Sequence, residues 1–158
     1  MKKFFALVSV LALACVVGRP VSSQSSQSDP RIGTWKLNTA KSQGSTRKSE
    51  TRTYTQSGDS VTLHAEIVNG DGSTQVYGLT GKSDGKDYSW TGQQPAGADT
   101  SSSKRVGNTF TSSNKKAGKL LFTSTTTFSA DRSVMTITTK GVDANGQSIN
   151  SVRVYDKQ

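Results

Sequence analysis

The chain has 158 residues, with 20 basic against 11 acidic side chains, a formal net charge of +9, one cysteine and only 31% hydrophobic residues. That length suits a single domain, and so thin an apolar share excludes a thickly packed globule. Cys15 stands alone, so disulfides, thiol catalysis and thiolate metal ligands are excluded from everything that follows it.

Residues 1–23 read as an export leader. Lys2 and Lys3 give a positive start, Phe4–Val17 is a short apolar run, and Val21-Ser22-Ser23 offers small residues before Gln24. The run falls short of the roughly 20 residues a bilayer span needs, and Gly18-Arg19-Pro20 ends it, so a secreted or periplasmic product is expected. The alternative is lipidation of Cys15 in Ala12-Leu13-Ala14-Cys15, which would tether the domain through the Ser/Gln-rich stretch 21–28; Ala12 stands where a larger aliphatic residue is usual. Removing 1–23 takes away Lys2, Lys3 and Arg19 and no acid, leaving 17 basic and 11 acidic residues, net +6. Hydrophobic residues then make up about a quarter of the remainder, beside 20 Thr and 21 Ser. Threonine's branched β-carbon is at home on a pleated sheet, so the composition predicts a thin-walled sheet with a partly polar or hydrated interior.

Residues 24–31 are expected to be a flexible lead-in and 32–158 one domain. Gly33–Asn38 predicts a strand with Trp35 and Leu37 on one face, and Thr39–Glu50, rich in Ser, Lys and Gly, a loop or broken turn. Strands follow at Thr51–Ser57, Ser60–Val68 and Ser73–Thr80, separated by Gly58-Asp59 and Asn69-Gly70-Asp71-Gly72. In the middle one Val61, Leu63, Ala65 and Ile67 share a face opposite Thr62, His64 and Glu66, the period-two signature of a half-buried strand. Tyr88–Thr91 is a weaker strand and Gln93–Asp99 a wide loop. Thr100–Val106, Phe110–Lys115, Lys119–Phe128, Ser133–Lys140 and Ile149–Asp156 complete the series. The pattern is all-β, an antiparallel up-and-down meander of about 8–10 strands with no helix. A meander this long either leaves exposed sheet edges or joins its first strand to its last, and closure into a barrel removes the edges.

Arg153 and Tyr155 lie two apart in the last strand, so they project to one face with Ile149 and Ser151, while Val152 and Val154 project to the other. If the Arg153 face is inside, a guanidinium beside a phenol holds a carboxylate or similar anion by charge-assisted hydrogen bonds. If the valine face is inside, Arg153 is in water. The interior wall is expected to draw on Trp35, Leu37, Tyr54, Leu63, Tyr77, Phe122, Met135 or Ile137, Ile149 and Tyr155.

Gly33-Thr34-Trp35-Lys36-Leu37 resembles the opening Gly-x-Trp strand of lipocalins and fatty-acid-binding proteins, and Arg153-Val154-Tyr155-Asp156-Lys157 resembles the closing strand of the latter. The layout over Asp29–Gln158, including Asp84-Gly85-Lys86-Asp87-Tyr88, is also similar to small secreted bacterial proteins described only as lipocalin-like. The resemblance implies a lipocalin-like calycin barrel. In the fatty-acid-binding family the Arg-x-Tyr pair holds a ligand head group, which implies that role for Arg153 and Tyr155. In lipocalins a late arginine packs across the first-strand tryptophan, a cation–π contact of about 0.5–2 kcal/mol, which would instead make Arg153 a clasp on Trp35. Two features depart from these families: Thr39–Glu50 is too short and breaker-rich for the helical lid of fatty-acid-binding proteins, and the second and third loop motifs of lipocalins are missing.

Other chemistry lacks partners. His64 is the single histidine and has no second ligand for a metal, Glu50 and Glu66 are the only glutamates, and the turn aspartates cap local backbone, so no catalytic residue, metal or cofactor is expected. The basic cluster Lys104, Arg105, Lys115, Lys116 and Lys119 suits weak contact with an anionic surface but has no interleaved aromatics for nucleic acid. The expected function is a secreted, monomeric, non-enzymatic binding protein for a small hydrophobic or amphipathic ligand, with Arg153, Tyr155, Trp35, Phe122 and Leu63 at the site. The alternative is a ligand-free envelope or extracellular module with a filled barrel, with an enzyme a third class.

Overall fold

The computed structural model describes residues 29–158; the expected leader, Cys15 and most of the expected lead-in lie outside them. Eleven strands form one antiparallel sheet: β1 Gly33–Gln43, β2 Arg47–Ser57, β3 Ser60–Asn69, β4 Thr74–Gly81, β5 Asp84–Ser89, β6 Thr91–Gly92, β7 Thr100–Val106, β8 Thr109–Lys116, β9 Lys119–Phe128, β10 Val134–Val142 and β11 Ser148–Lys157. The helical content among the described residues is one short 3₁₀ turn, Pro95–Gly97.

The sheet order is β5-β7-β8-β9-β10-β11-β1-β2-β3-β4-β6, so the first strand zips against the last, with Trp35 opposite Lys157 and Leu37 opposite Tyr155. The two outer members of that order, β5 and β6, are halves of one extended segment. Asp84–Ser89 pairs with β7, Thr91–Gly92 pairs with β4, and Trp90 is the residue where the chain changes partner. The barrel is thereby nearly closed, its seam lying where β4 and β5 run side by side without ladder bonds. The Tyr88 ring fills that seam against Gly81, where a β-carbon would sit 2.6 Å from it, so this position accepts no side chain.

Pleat alternation decides what faces inward. On β3, Val61, Leu63, Ala65 and Ile67 are buried while Thr62, His64 and Glu66 are exposed, as the period of two predicts. Trp35, Met135 and Tyr155 are fully buried with them in one core. The expected loop over Thr39–Glu50 is overturned in part. β1 continues to Gln43 and β2 already begins at Arg47, leaving only Gly44-Ser45-Thr46 as the turn. The breaker-rich composition registers instead as irregular pairing. Between Asn38 and Gln43 the β1–β11 ladder is interrupted, and the Ser42 hydroxyl takes up the freed Val154 N–H at 3.0 Å. Gly44, at φ +63° with the Asn150 carbonyl 2.3 Å from where a β-carbon would be, is needed both for its conformation and for the close approach.

Chain direction puts the β1–β2, β3–β4, β8–β9 and β10–β11 turns at one end of the barrel. The 93–99 loop lies across that end: Ala144 N–H donates to the Ala96 carbonyl at 3.0 Å and Ala117 N–H to Asp99 Oδ2 at 2.7 Å. At the opposite end Asp29–Arg31 is packed rather than loose, correcting the flexible lead-in for these residues. The Trp35 indole donates to the Arg31 carbonyl at 2.7 Å, and the Arg31 guanidinium pairs with Asp29 and stands 4.1 Å over the Phe110 ring.

Candidate ligand-binding site

The inner face of β2 carries the charge of the barrel interior. Stepping by two from Tyr54 gives Arg52 and Glu50, all three buried. A bulge between Arg47 and Ser49, the point where the β2–β3 register shifts, brings Arg47 to Glu50 as well. β11 contributes Arg153 and Tyr155, β4 Tyr77 and β10 Thr139. Arg52 uses all three nitrogens: Nε donates to Glu50 Oε1 at 2.6 Å, Nη1 to the Tyr54 hydroxyl at 3.0 Å and Nη2 to the Tyr77 hydroxyl at 2.8 Å. Glu50 Oε2 accepts from Arg47 and, at 2.7 Å, from the Tyr155 hydroxyl, with Arg153 Nη1 standing 3.9 Å away. Arg153 has one good hydrogen bond, Nη2 to Thr139 Oγ1 at 3.2 Å, and its buried Nε has no partner.

Burial pushes the Glu50 carboxyl toward neutrality, but Arg52, Arg47 and Arg153, with the Tyr155 hydroxyl, outweigh it and hold the group charged far below the usual carboxylate range. Burial is also the largest influence on Tyr155. It raises the phenol, assisted by Glu50 and opposed by the arginines, so Tyr155 remains a neutral donor at physiological pH. Burial alone would lower Arg52, yet Glu50 reverses this and fixes the guanidinium as a cation. Three guanidiniums thus share one carboxylate, an excess of two positive charges.

These arginines line a cavity of about 250 Å³. Its two sides differ in chemistry. On β2–β4 it meets Tyr54, Val61, Leu63, Tyr77 and Leu79; on β7–β10 it meets Ser101, Ser103, Ser112, Asn114, Ser124 and Thr126, with Phe122 and Ile137 between. The partly polar interior that the composition predicts takes the form of hydroxyl and amide side chains on that second side. Ser124 and Thr139 bond each other at 3.0 Å, Asn114 accepts the Trp90 indole N–H at 3.3 Å, and the buried Ser103 hydroxyl has no partner.

Of the residues expected at the site, Arg153, Phe122 and Leu63 line the cavity, while Tyr155 and Trp35 stand behind its wall. Tyr155 reaches the cavity through Glu50 and through Arg52, whose guanidinium stands 5.5 Å over its ring. Trp35 is core, beside Phe128 at 5.7 Å, and the cation over its ring is Lys157 Nζ at 5.2 Å, so the clasp reading of Arg153 is overturned. Lys157 lies opposite Trp35 in the ladder, whereas Arg153 is four residues earlier on β11 and pairs with Ile137 on β10. The basic cluster is partly neutralised: Lys115 pairs with Asp87 at 2.8 Å, and Arg105 leans over Phe110 at 5.3 Å. Arg47, Glu50, Arg52 and Trp90 were not among the expected site residues. The alternation running back from Tyr54 carried the signal for Arg52 and Glu50; nothing in the sequence marks the bulge that turns Arg47.

No family model matches the chain, and no curated protein is similar to it in sequence. Solved structures are similar in shape. The zebrafish ileal bile acid-binding protein complexed with cholic acid is similar over 82% of this chain and 99% of its own, with TM-score 0.53 and 14% identity. Fatty-acid-binding protein 1 of Echinococcus granulosus is similar over 81% of this chain and 97% of its own, with TM-score 0.55 and 14% identity. The fold is the antiparallel β-barrel that these two structures share. At that identity the likeness establishes the fold alone. Within this barrel the first two strands are joined by a three-residue turn, and the 93–99 loop covers the same end.

Proposed function

We propose that this calycin barrel is a secreted, non-enzymatic protein that binds a small amphipathic anion noncovalently, its charged head at Arg47 and Arg153 and its apolar body between Leu63, Tyr54 and Phe122. The observation that carries this reading is the charge imbalance at the cavity wall: three guanidiniums, one carboxylate, and an unpartnered Arg153 Nε. Unpaired buried charge is costly, so the site favours an anion that completes it. The existence of a cavity favours ligand binding over a filled barrel. Its volume lies below the roughly 300–1,000 Å³ of drug-sized ligand sites, which points to a compact ligand. Catalysis finds no support, because Glu50, the buried carboxylate, is held charged and fully bonded rather than poised to exchange a proton. Secretion rests on the leader-like segment 1–23.

Titration with an environment-sensitive fatty-acid probe tests the reading. Saturable uptake is expected, weakened about 10- to 100-fold by Arg153→Ala through loss of a charge-assisted hydrogen bond. The thermal midpoint should change little, since Arg153 makes only one short polar contact. Absence of saturable uptake in the wild type would overturn the proposal.

A further inference from the structure

Resting on that reading, we propose that the head group preferred by this site is dianionic, a phosphate monoester being the chemical class, rather than a monocarboxylate. The charges that face the cluster are few. β2 supplies Arg47, Glu50 and Arg52 with the Tyr54 phenol, β4 the Tyr77 phenol, β11 Arg153 with the Tyr155 phenol, and β10 only the Thr139 hydroxyl. The other cations on the cavity are already matched: Arg31 pairs with Asp29 at 2.7 Å and Lys82 with Asp59 at 3.4 Å. The excess of two charges therefore belongs to the arginine cluster. A monoanion leaves one guanidinium uncompensated in a low-dielectric interior; a dianion leaves none.

Donor geometry agrees with the charge count. Arg52 has a partner on each of its three nitrogens, Glu50 and two tyrosines, so it is a fixed part of the wall. Arg47 and Arg153 reach Glu50 through Nη1 alone, and Arg153 keeps a buried Nε without a partner. Two incompletely used forks on neighbouring walls of one cavity fit an oxyanion with several acceptor oxygens better than the two oxygens of a carboxylate. The Ser124–Thr139 hydroxyl pair beside Arg153, one O–H of which is spent in their mutual bond, leaves one further donor on the same side.

Calorimetric titration of the protein with decyl phosphate, decyl sulfate and decanoate separates charge from shape. The phosphate takes its second charge near about pH 6, whereas the sulfate keeps the tetrahedral shape at one charge. The single histidine, His64, is exposed on the outer face of β3 beside Glu66, so no histidine confuses the comparison inside the barrel. At about pH 8 decyl phosphate is expected to bind about tenfold or more tighter than either monoanion, and at about pH 5.5 its advantage over the sulfate should disappear. Arg153→Gln and Arg47→Gln each remove one charge and should bring phosphate and sulfate to similar affinity at about pH 8, with the unfolding midpoint followed in parallel to show that each variant is folded. Sulfate or decanoate bound as tightly as phosphate by the wild type at the higher pH overturns the dianion preference alone. Failure of all three to bind overturns the binding reading and this inference with it.

Discussion

The two sides of the cavity are built from the same fold by different chemistry. On β2–β4, alternation is strict and, beyond the charged pair Glu50 and Arg52, the inward residues are mostly large and apolar: Tyr54, Val61, Leu63, Ile67 and Tyr77 are buried, with Ala65 among them. On β7–β10 the inward positions are shared between Ser, Thr and Asn and the larger Phe110, Phe122, Phe128, Met135 and Ile137. Both sides satisfy their backbone by the same ladders, so the difference lies in the side chains alone. The first wall supplies the apolar burial that holds the barrel together. The second leaves room, because short hydroxylated side chains cannot fill the interior and do not need to exclude water. A chain with so few hydrophobic residues keeps an unbroken apolar stripe on β3 and alternates large apolar with short hydroxylated residues on the other wall, which defines the hollow.

Substitutions break this contrast in graded steps. The largest effect is expected at the charged seam between the walls. Glu50→Gln leaves three buried guanidiniums without their carboxylate and should cost about 3–5 kcal/mol in urea unfolding. The pH dependence has a definite sign. The folded-state pKa of Glu50 is depressed, so its stabilisation is fully present above the unfolded value of about 4.3 and is lost as pH falls below it toward the folded one. Wild type should therefore lose stability more steeply than Glu50→Gln between about pH 5 and 3, and parallel curves would show that Glu50 is not the linked group. Next comes the apolar wall: Leu63→Ala should cost about 2–5 kcal/mol, chiefly as cavity formation against β2 and β4, measured by the same unfolding experiment. Tyr155→Phe removes a 2.7 Å donor to a buried carboxylate and should cost about 1.5–3 kcal/mol while leaving the barrel closed. The hydroxyl wall should respond least. Ser103→Ala deletes an unpartnered buried hydroxyl and is expected to change stability by about 0–1 kcal/mol, in the stabilising direction. A loss comparable to Leu63→Ala there would erase the distinction between the walls.

How much of this was readable in the sequence follows the same division. Where alternation is strong, as on β3 or at Trp35 and Leu37, period-two reading placed strand and face together. The first-to-last pairing was legible because the Gly-x-Trp and Arg-x-Tyr segments sit at the two ends of a meander, and Arg153 and Tyr155 do face inward. The hydroxyl wall was legible only as composition, since Ser and Thr alternate with Ser and Thr and carry no inside-outside contrast. The charged cluster was hidden for a different reason. Arg52 and Glu50 look like solvent residues until Tyr54 fixes their face, and Arg47 reaches that face through a bulge that no local pattern announces. Likewise the partner exchange at Trp90 depends on the β4 and β7 edges lying close together, a long-range fact.

The most direct test of an anion site inside the barrel is a heteronuclear NMR titration with decanoate that follows the arginine Nε–H resonances. Arg153 Nε, buried and unbonded, should shift saturably, while Arg52 Nε, held by Glu50 at 2.6 Å, should move little. A ligand that leaves Arg153 Nε unmoved and perturbs only surface residues such as Lys116 and Lys119 would contradict it.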